Sequence, residues 1–396
     1  MLARKLVLPL NVVAFIYSLA FSFYYFICFL VCGSVLKQYR FAVVLLLFNT
    51  LFVTHTFYWV QSELPQAMAL LITIMAMAAS QSDKKSSLQM AIICLGFFAV
   101  GFAHPLLLFP VVYIFLFFLL QKERIVEHKI IYALTFFYAA VVFLKNLVFK
   151  TEYESTAMAN GGISKIISLY PHYFNIYSNK RFLYSCINIY YWLPALSMGL
   201  ICFYLITREW FKFILFIAFA GFYLFLINVS FPDKNTTDLY IENLYLPLAI
   251  FIALPFVFDI LPWLAARKLA LPLIFIILLS GGLRIYFRHD QYTARLNWER
   301  KYLNENLNKK LIVNAGKAPM DKLMMTWSTP YEFWLLSTIE HGATASIIID
   351  DNITRLLKDT LNNQSFITTW GDFSYKELPP KYFHFEDSSS HYQVLK

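Results

Sequence analysis

Charged residues are scarce in this 396-residue chain, at 14% of the total, whereas soluble proteins average about 25%. Hydrophobic residues make up 59%, against about 45–50% in soluble proteins. The chain therefore has too few polar groups to cover the surface of an ordinary soluble protein, and the composition predicts a polytopic membrane protein. The 40 Phe and 26 Tyr suit a lipid-facing and interfacial surface.

Cysteine and sequence motifs of known chemistry are also scarce. All five cysteines lie in apolar runs, which excludes a disulfide framework and a zinc motif. The last hundred residues contain no glycine-rich phosphate loop, nucleophile elbow or metal-ligand spacing. Asp350-Asp351 is either a metal pair or a helix cap, and the cap is the favoured interpretation. Sequons for N-glycosylation occur at Asn228, Asn235, Asn352 and Asn363, but the pattern is too common to show glycosylation.

The net charge of +9 does not indicate a nucleic-acid-binding protein. Residues 1–287 carry 20 basic and 11 acidic residues, whereas residues 288–396 carry 13 of each. The excess therefore lies among the apolar runs, where the positive-inside rule accounts for much of it.

Ten apolar runs approach or exceed the ~20 residues that a membrane span needs. They cover residues 6–36, 41–60, 66–80, 88–104, 105–121, 130–149, 183–206, 210–230, 240–264 and 269–287. The first run lacks a cleavage site and predicts a retained helix. The predicted fold class is an α-helical polytopic membrane protein with about ten transmembrane helices in residues 1–287. A small α/β domain, residues 288–396, follows on the extracytoplasmic side.

Loop charges predict the orientation. The short connections on one side carry eleven basic residues, whereas the short connections on the other carry only Lys234. The positive-inside rule places these eleven residues in the cytoplasm, and both chain ends then lie outside. The expected location of the protein is a bacterial inner membrane. An external amino terminus leads us to expect that the chain start is incomplete or atypical.

The region after Phe287 has the pattern of a soluble α/β layer. Strands are expected at residues 311–313, 323–326, 345–349 and 382–385, and helices at 330–341 and 353–361.

Glu63 is the one ionised residue in a tight turn between two predicted spans. A carboxylate is costly in hydrocarbon, so Glu63 must lie at the interface or in a wet cavity. Two interpretations are evenly matched. Glu63 either caps the following helix with Ser62, or it is a functional carboxylate.

Further polar residues are predicted near the same external face. The candidate catalytic residues are Glu63, Asp238 and Glu242, which can act as a base or bind a divalent metal ion. Histidines, cations and an amide make up the candidate substrate-binding set, and its cations suit a lipid phosphate. These residues are His55, His104, Lys145, Lys150, Asn243, Arg284 and Arg288.

The layout resembles the GT-C superfamily of membrane glycosyltransferases. The resemblance rests on Ser62-Glu63 at an outer helix start, on a hairpin at His104-Pro105, and on residues 238–247 (DLYIENLYLP). It implies a bilayer-embedded enzyme that transfers sugar from a polyprenyl-phosphate donor to a glycan or lipid acceptor in envelope assembly. The superfamily places an acidic catalytic residue in a first external loop that this chain lacks. We therefore expect either a missing catalytic opening or a non-catalytic relative.

Two other classes remain open. The second hypothesis is a polysaccharide polymerase, flippase or transporter. Transporters often have charges near the bilayer midplane, whereas charges within the predicted spans are few here. A non-catalytic membrane subunit that positions an enzyme is the third.

Overall fold

A computed structural model describes residues 23–51, 63–80, 87–103, 105–122, 125–148, 170–188, 190–230 and 244–305, together with short segments between 310 and 395. Contacts divide the chain into two compact units. The helical unit comprises Ser18–Asp233 and Asn243–Arg284. The second unit comprises Met1–Tyr17, Lys234–Glu242 and Ile285–Lys396.

The described residues form mostly α-helix. In chain order the helices are α1 (Phe23–Val35), α2 (Tyr39–Leu51), α3 (Glu63–Ala79), α4 (Ser87–Ala103), α5 (Leu108–Leu119), α6 (His128–Val148), α7 (Tyr177–Asn188), α8 (Trp192–Thr207), α9 (Trp210–Ser230), α10 (Leu246–Ala266) and α11 (Ala270–Glu305). Short 3-10 turns at Pro105–Leu107 and Tyr170–Asn175 precede α5 and α7.

Several helices are apolar enough to enter a membrane. Among the described residues α9 and α10, of 21 residues each, are long and apolar enough to cross a bilayer. The bent pair α7 and α8 counts as a third if it forms one span. Seven other helices carry apolar stretches of 10–17 residues. The chain is therefore a helical protein suited to a membrane, and the number of ten spans stays a prediction.

One predicted span differs in the structure. Residues 183–206 were expected to form a single helix, but α7 ends at Asn188 and α8 begins at Trp192 after a sharp bend. The Asn188 side-chain amide donates to the Tyr184 carbonyl, 3.0 Å away, near the end of α7. Pro194 lies in the first turn of α8, where its missing N–H leaves no helical bond unmade. Hydrophobicity alone does not register this break.

Helix α10 departs from regular geometry at its centre. Pro255 has no N–H to donate to the carbonyl of Phe251, four residues earlier. The Tyr113 hydroxyl of α5 donates to that carbonyl instead, at 3.0 Å. The following residues, Phe256–Ile260, form a π-helical turn before the α-helix resumes at Leu261. Tyr113 thus allows the proline within a buried helix, where an unsatisfied carbonyl would be costly.

The second unit contains the later part of α11 and five short strands. The strands are β1 (Lys310–Asn314), β2 (Ser346–Asp350), β3 (Ser365–Thr368), β4 (Gly371–Ser374) and β5 (Tyr392–Leu395). Strand β1 pairs in parallel with β2 and β5, whereas β3 and β4 form an antiparallel pair. Strands β1 and β2 lie where strands were predicted at 311–313 and 345–349. The strands predicted at 323–326 and 382–385, and the helix at 353–361, lie outside the described residues.

A helix past Phe287 was not expected, yet α11 continues to Glu305. Its later part buries Trp298 and Leu303 within the second unit, and the Trp298 ring lies 4.7 Å from that of Tyr302. Arg300 donates to the Glu340 carboxylate at 2.9 and 3.0 Å. Trp298 and Tyr302 lie four residues apart, so this polar stretch can form a helix with one apolar face.

Candidate functional site

Contacts between helix termini define two ends of the helical unit. At the first, which we call the basic end, Phe41 at the start of α2 contacts Phe118 of α5 and Phe258 of α10, with ring centroids 5.8 and 5.2 Å apart. Exposed basic side chains surround this end, in the connections between helices and in the first turns of α2 and α6. They are Lys37, Arg40, Lys122, Lys129, Arg208, Arg267 and Lys268.

The second end, which we call the amide end, is built around Asn228 near the end of α9. Asn228 is fully buried, donates to the side chain of Asn179 in α7, and accepts from the Tyr245 hydroxyl. Its backbone carbonyl accepts from the Ser178 hydroxyl at 2.9 Å. Asn179 in turn donates to the carbonyl of Tyr173. This network joins α7, α9 and the residues before α10, as expected for buried polar groups, which need partners.

Burial also settles the Asn228 sequon. A fully buried and hydrogen-bonded asparagine is not accessible for glycosylation, so Asn228 is a structural residue in the folded protein. Burial raises the pKa of Tyr173, although hydrogen bonds with Asn228 and Asn179 oppose the shift. The Tyr173 phenol therefore keeps its proton to a higher pH than an exposed tyrosine does.

Arg284 lies at the amide end beside the α7–α8 break. Its guanidinium carbon lies 5.5 Å from the ring centroid of Tyr190 and 5.8 Å from that of Tyr191, within the range of cation–π attraction. The Trp192 indole N–H donates to Ser280 of α11 at 2.6 Å, which fixes the start of α8 against α11. Of the two rings, that of Tyr190 is buried and that of Tyr191 is exposed.

Lys145 is also at the amide end, in the last turn of α6. Its ammonium donates to the carbonyl of Phe102, 3.2 Å away, in the last turn of α4. The last carbonyls of a helix have no intrahelical partner and carry partial negative charge. Lys145 therefore stabilises the end of α4 in this structure.

Glu63 is the first residue of α3, a position that both the capping and the functional interpretation predict. A negative charge at this first position of a helix is stabilised by the positive end of the helix dipole. The Arg288 backbone lies in the part of α11 that belongs to the second unit. The other candidates lie outside the described residues: His55, His104, Lys150, Asp238, Glu242 and Asn243.

A buried ion pair at the basic end was not predicted. Lys212 of α9 donates to Asp259 Oδ1 at 2.8 Å, and their side chains are 6% and 8% exposed. Gln121 donates to the same oxygen at 3.1 Å, and the Tyr204 hydroxyl donates to Oδ2 at 2.8 Å. The carboxylate thus receives three hydrogen bonds from three separate segments of the chain, and the pair is neutral overall.

Asp259 lies within the π-helical turn of α10. Such turns and intramembrane ionisable residues are both frequent at functional sites. The available sequence signal was Asp259 in the predicted span 240–264 with Lys212 near the start of another. Each residue alone is explained by its position near a span end, so only the contact between them shows the pair.

A metal site is not evident in the described part of the chain, where no three His, Cys, Asp or Glu side chains come together. The carboxylates proposed as metal ligands include Asp238 and Glu242, which lie outside that part. Comparison of the chain with protein-family models, curated proteins and solved structures finds no match.

Proposed function

We propose that the chain is an integral membrane glycosyltransferase-like protein of cell-envelope glycan or glycolipid assembly. It transfers sugar from a polyprenyl-phosphate donor to a glycan or lipid acceptor at the amide end. The proposal includes ten spans, an extracytoplasmic α/β domain and a place in a bacterial inner membrane. Its support is the apolar helical unit, the resemblance in layout, and the difference in charge between the two ends.

One observation carries the proposal. The amide end of the helical unit includes the start of α3, where Glu63 lies, and two cations, Lys145 and Arg284. Gly281 packs against Thr50 so closely that a β-carbon would collide with it, which places the end of α2 beside Arg284. Glu63 follows that helix by twelve residues. A carboxylate and two cations at one end of a bundle suit a base and a bound phosphate.

The roles follow from the chemistry. Arg284 and Lys145 hold the donor phosphate, with Arg284 offering a planar group that can donate two parallel hydrogen bonds. Glu63, Asp238 and Glu242 provide a base for the acceptor hydroxyl or ligands for a divalent ion. Loss of turnover on chelation of divalent ions, with recovery on their return, would assign the second role.

The test is the Glu63→Gln variant. Membranes that carry the variant are incubated with polyprenyl-phosphate sugars and envelope acceptors, and transferred sugar is measured. Glutamine keeps most of the capping geometry but is neither a base nor a strong metal ligand. We expect expression close to that of the unaltered chain, with a loss of at most ~1 kcal/mol in stability, and turnover abolished.

The matched control is Glu127→Gln, which removes an exposed carboxylate between α5 and α6 at the basic end. It should leave turnover unchanged. Full turnover in Glu63→Gln would leave Glu63 a cap and move the search to Asp238 and Glu242. Absence of transfer in every preparation, with each donor and acceptor tried, would refute the glycosyltransferase proposal.

A flippase or transporter of lipid-linked saccharide is the second candidate, favoured by the Lys212–Asp259 pair. Buried charges in membrane bundles often lie on substrate or proton pathways. This function predicts that Lys212→Met/Asp259→Asn, which removes both charges together, abolishes translocation while the protein stays folded. Sugar transfer by the same variant should persist if the glycosyltransferase proposal is right.

A further inference from the structure

Three basic residues occupy an unusual backbone conformation at the basic end. Lys37, Arg208 and Lys268 have φ angles of 55°, 58° and 58°. Among the described residues they are the only non-glycine residues with positive φ. This left-handed conformation is disfavoured for any residue with a β-carbon and is usually occupied by glycine, or sometimes asparagine, after a helix.

The three positions are equivalent in the fold. Each residue follows the end of one helix and lies two residues before the next helix, which begins at Tyr39, Trp210 or Ala270. We call these turns the three corners. They connect α1 to α2, α8 to α9, and α10 to α11.

Backbone hydrogen bonds show why the left-handed conformation is required. At the second corner the N–H of Glu209 donates to the carbonyl of Tyr204 at 3.0 Å. At the third, the N–H of Leu269 donates to the carbonyl of Leu264 at 3.0 Å. These six-to-one bonds are those of the Schellman motif, in which glycine is the favoured residue. The first corner follows a π-helical turn, and there the N–H of Gln38 donates to the carbonyl of Cys32 at 2.7 Å, one residue further back. The chain thus places a lysine or arginine, three times, where glycine would fit with less strain.

Complementing the helix dipole does not explain this placement, because a cation anywhere in the last turn would serve. The positive-inside rule does not explain the placement either, because Arg40, Lys122 and Lys129 supply positive charge at the same end without a left-handed backbone. Backbone strain that persists at equivalent positions indicates a function for the side chains.

Aromatic residues indicate the level at which the corners lie. Tyr39, Trp210 and Trp263 are 68%, 52% and 46% exposed, and one lies near each corner. Arg267, next to Lys268, lies 3.5 Å above the Trp263 ring centroid. Exposed Trp and Tyr mark the headgroup level of a bilayer. Of the described acidic residues at this end, Asp259 is paired with Lys212 and Glu209 with Lys122, so that Glu127 adds one exposed carboxylate to an end with seven exposed basic side chains.

We propose that the three corners bind the phosphate headgroups of anionic phospholipids in the leaflet at the basic end. The occupant is a lipid of the phosphatidylglycerol type, selected by charge over a zwitterionic one. The basic residue binds the phosphate, and the neighbouring aromatic side chain lies at the boundary between headgroup and acyl chain. The proposal depends on membrane insertion but not on sugar transfer.

The test uses the purified full-length chain in a mild detergent, titrated with dioleoylphosphatidylglycerol or dioleoylphosphatidylcholine and followed by native mass spectrometry. The corner variant is Lys37→Gly/Arg208→Gly/Lys268→Gly. The control is Arg40→Gln/Lys122→Gln/Lys129→Gln, which removes three exposed positive charges at the same end. We expect phosphatidylglycerol binding to weaken about fivefold for each corner lost, and less than twofold overall in the control.

Phosphatidylcholine binding should be weak and equal in all three proteins. Equal losses of phosphatidylglycerol binding in the corner and control variants would overturn the proposal in favour of general surface charge. Equal binding of both lipids by the unaltered chain would also overturn it.

A stability measurement completes the test. Glycine relieves the strain, so the corner variant should unfold in lipid-free detergent at the same temperature as the unaltered chain or higher. Added phosphatidylglycerol should raise the unfolding temperature of the unaltered chain more than that of the corner variant. A corner variant that is less stable without lipid would show that the side chains act within the fold, contrary to the proposal.

Discussion

The Lys212–Asp259 pair makes a quantitative prediction about stability. Lys212→Met removes the cation and keeps an unbranched side chain of similar length. Asp259 then retains only the hydrogen bonds from Gln121 and Tyr204 at a site where its side chain is 8% exposed. Removing one partner of a buried pair costs about 3–5 kcal/mol, because the other charge is left without compensation.

The reverse change, Asp259→Asn, should cost a similar amount. It leaves the Lys212 ammonium buried near the Gln121 side-chain oxygen, 3.5 Å away, and the Phe117 ring. The double variant Lys212→Met/Asp259→Asn is the informative one. An asparagine can still accept from Tyr204, and no net charge is buried, so the double variant should lose less than either single variant.

The assay is thermal unfolding of the purified protein in one detergent, at one pH and one lipid content. At about 2–4 °C per kcal/mol for a unit of this size, each single variant should lose roughly 6–20 °C. Additive losses in the double variant would refute the reasoning, because independent sites add whereas a coupled pair does not. Single-variant shifts below about 2 °C would show that the pair is not desolvated.

Three further predictions concern single contacts. Tyr113→Phe should cost about 1–3 kcal/mol, since it leaves a buried carbonyl unpaired, and Pro255→Ala should reduce that cost by restoring an N–H, as measured by a double-mutant cycle. A hydrogen bond to Glu209, followed by its charge, raises the pKa of Lys122. The stability difference between the unaltered chain and Lys122→Gln should therefore persist at neutral pH and disappear as strongly alkaline pH passes that raised pKa. Asn228→Gln should lower the unfolding temperature without changing the mobility of the protein on a denaturing gel, whereas a glycosylated residue would change the mobility.

Local patterns predicted the helices well. The predicted span at 210–230 matches α9 residue for residue, and the break at His104-Pro105 falls between α4 and α5. Hydrophobic periodicity and proline affect secondary structure through residues that are adjacent in the chain, so both can be recognised in the sequence. The α7–α8 break and the polar part of α11 were missed, because neither interrupts or extends an apolar run in a way that hydrophobicity alone can detect.

The candidate site was predicted less completely. Glu63 was chosen as the one ionised residue in a turn between two apolar runs, and Lys145 and Arg284 were chosen as cations near the ends of such runs. Their contacts were not foreseen, since Lys145 meets a backbone carbonyl and Arg284 meets two tyrosine rings. Backbone carbonyls are present at every position, so no residue pattern marks the one that a lysine will reach.

The sequence by itself determined that this is a helical membrane protein, because composition and apolar run length depend only on which residues follow one another. Only the tertiary structure decided which polar groups meet. Asp259 pairs with Lys212 across 47 positions, Asn228 with Asn179 across 49, and Tyr113 with the Phe251 carbonyl across 138. A buried polar group must find a partner, but any helix can supply it, so the choice of partner depends on how the helices pack.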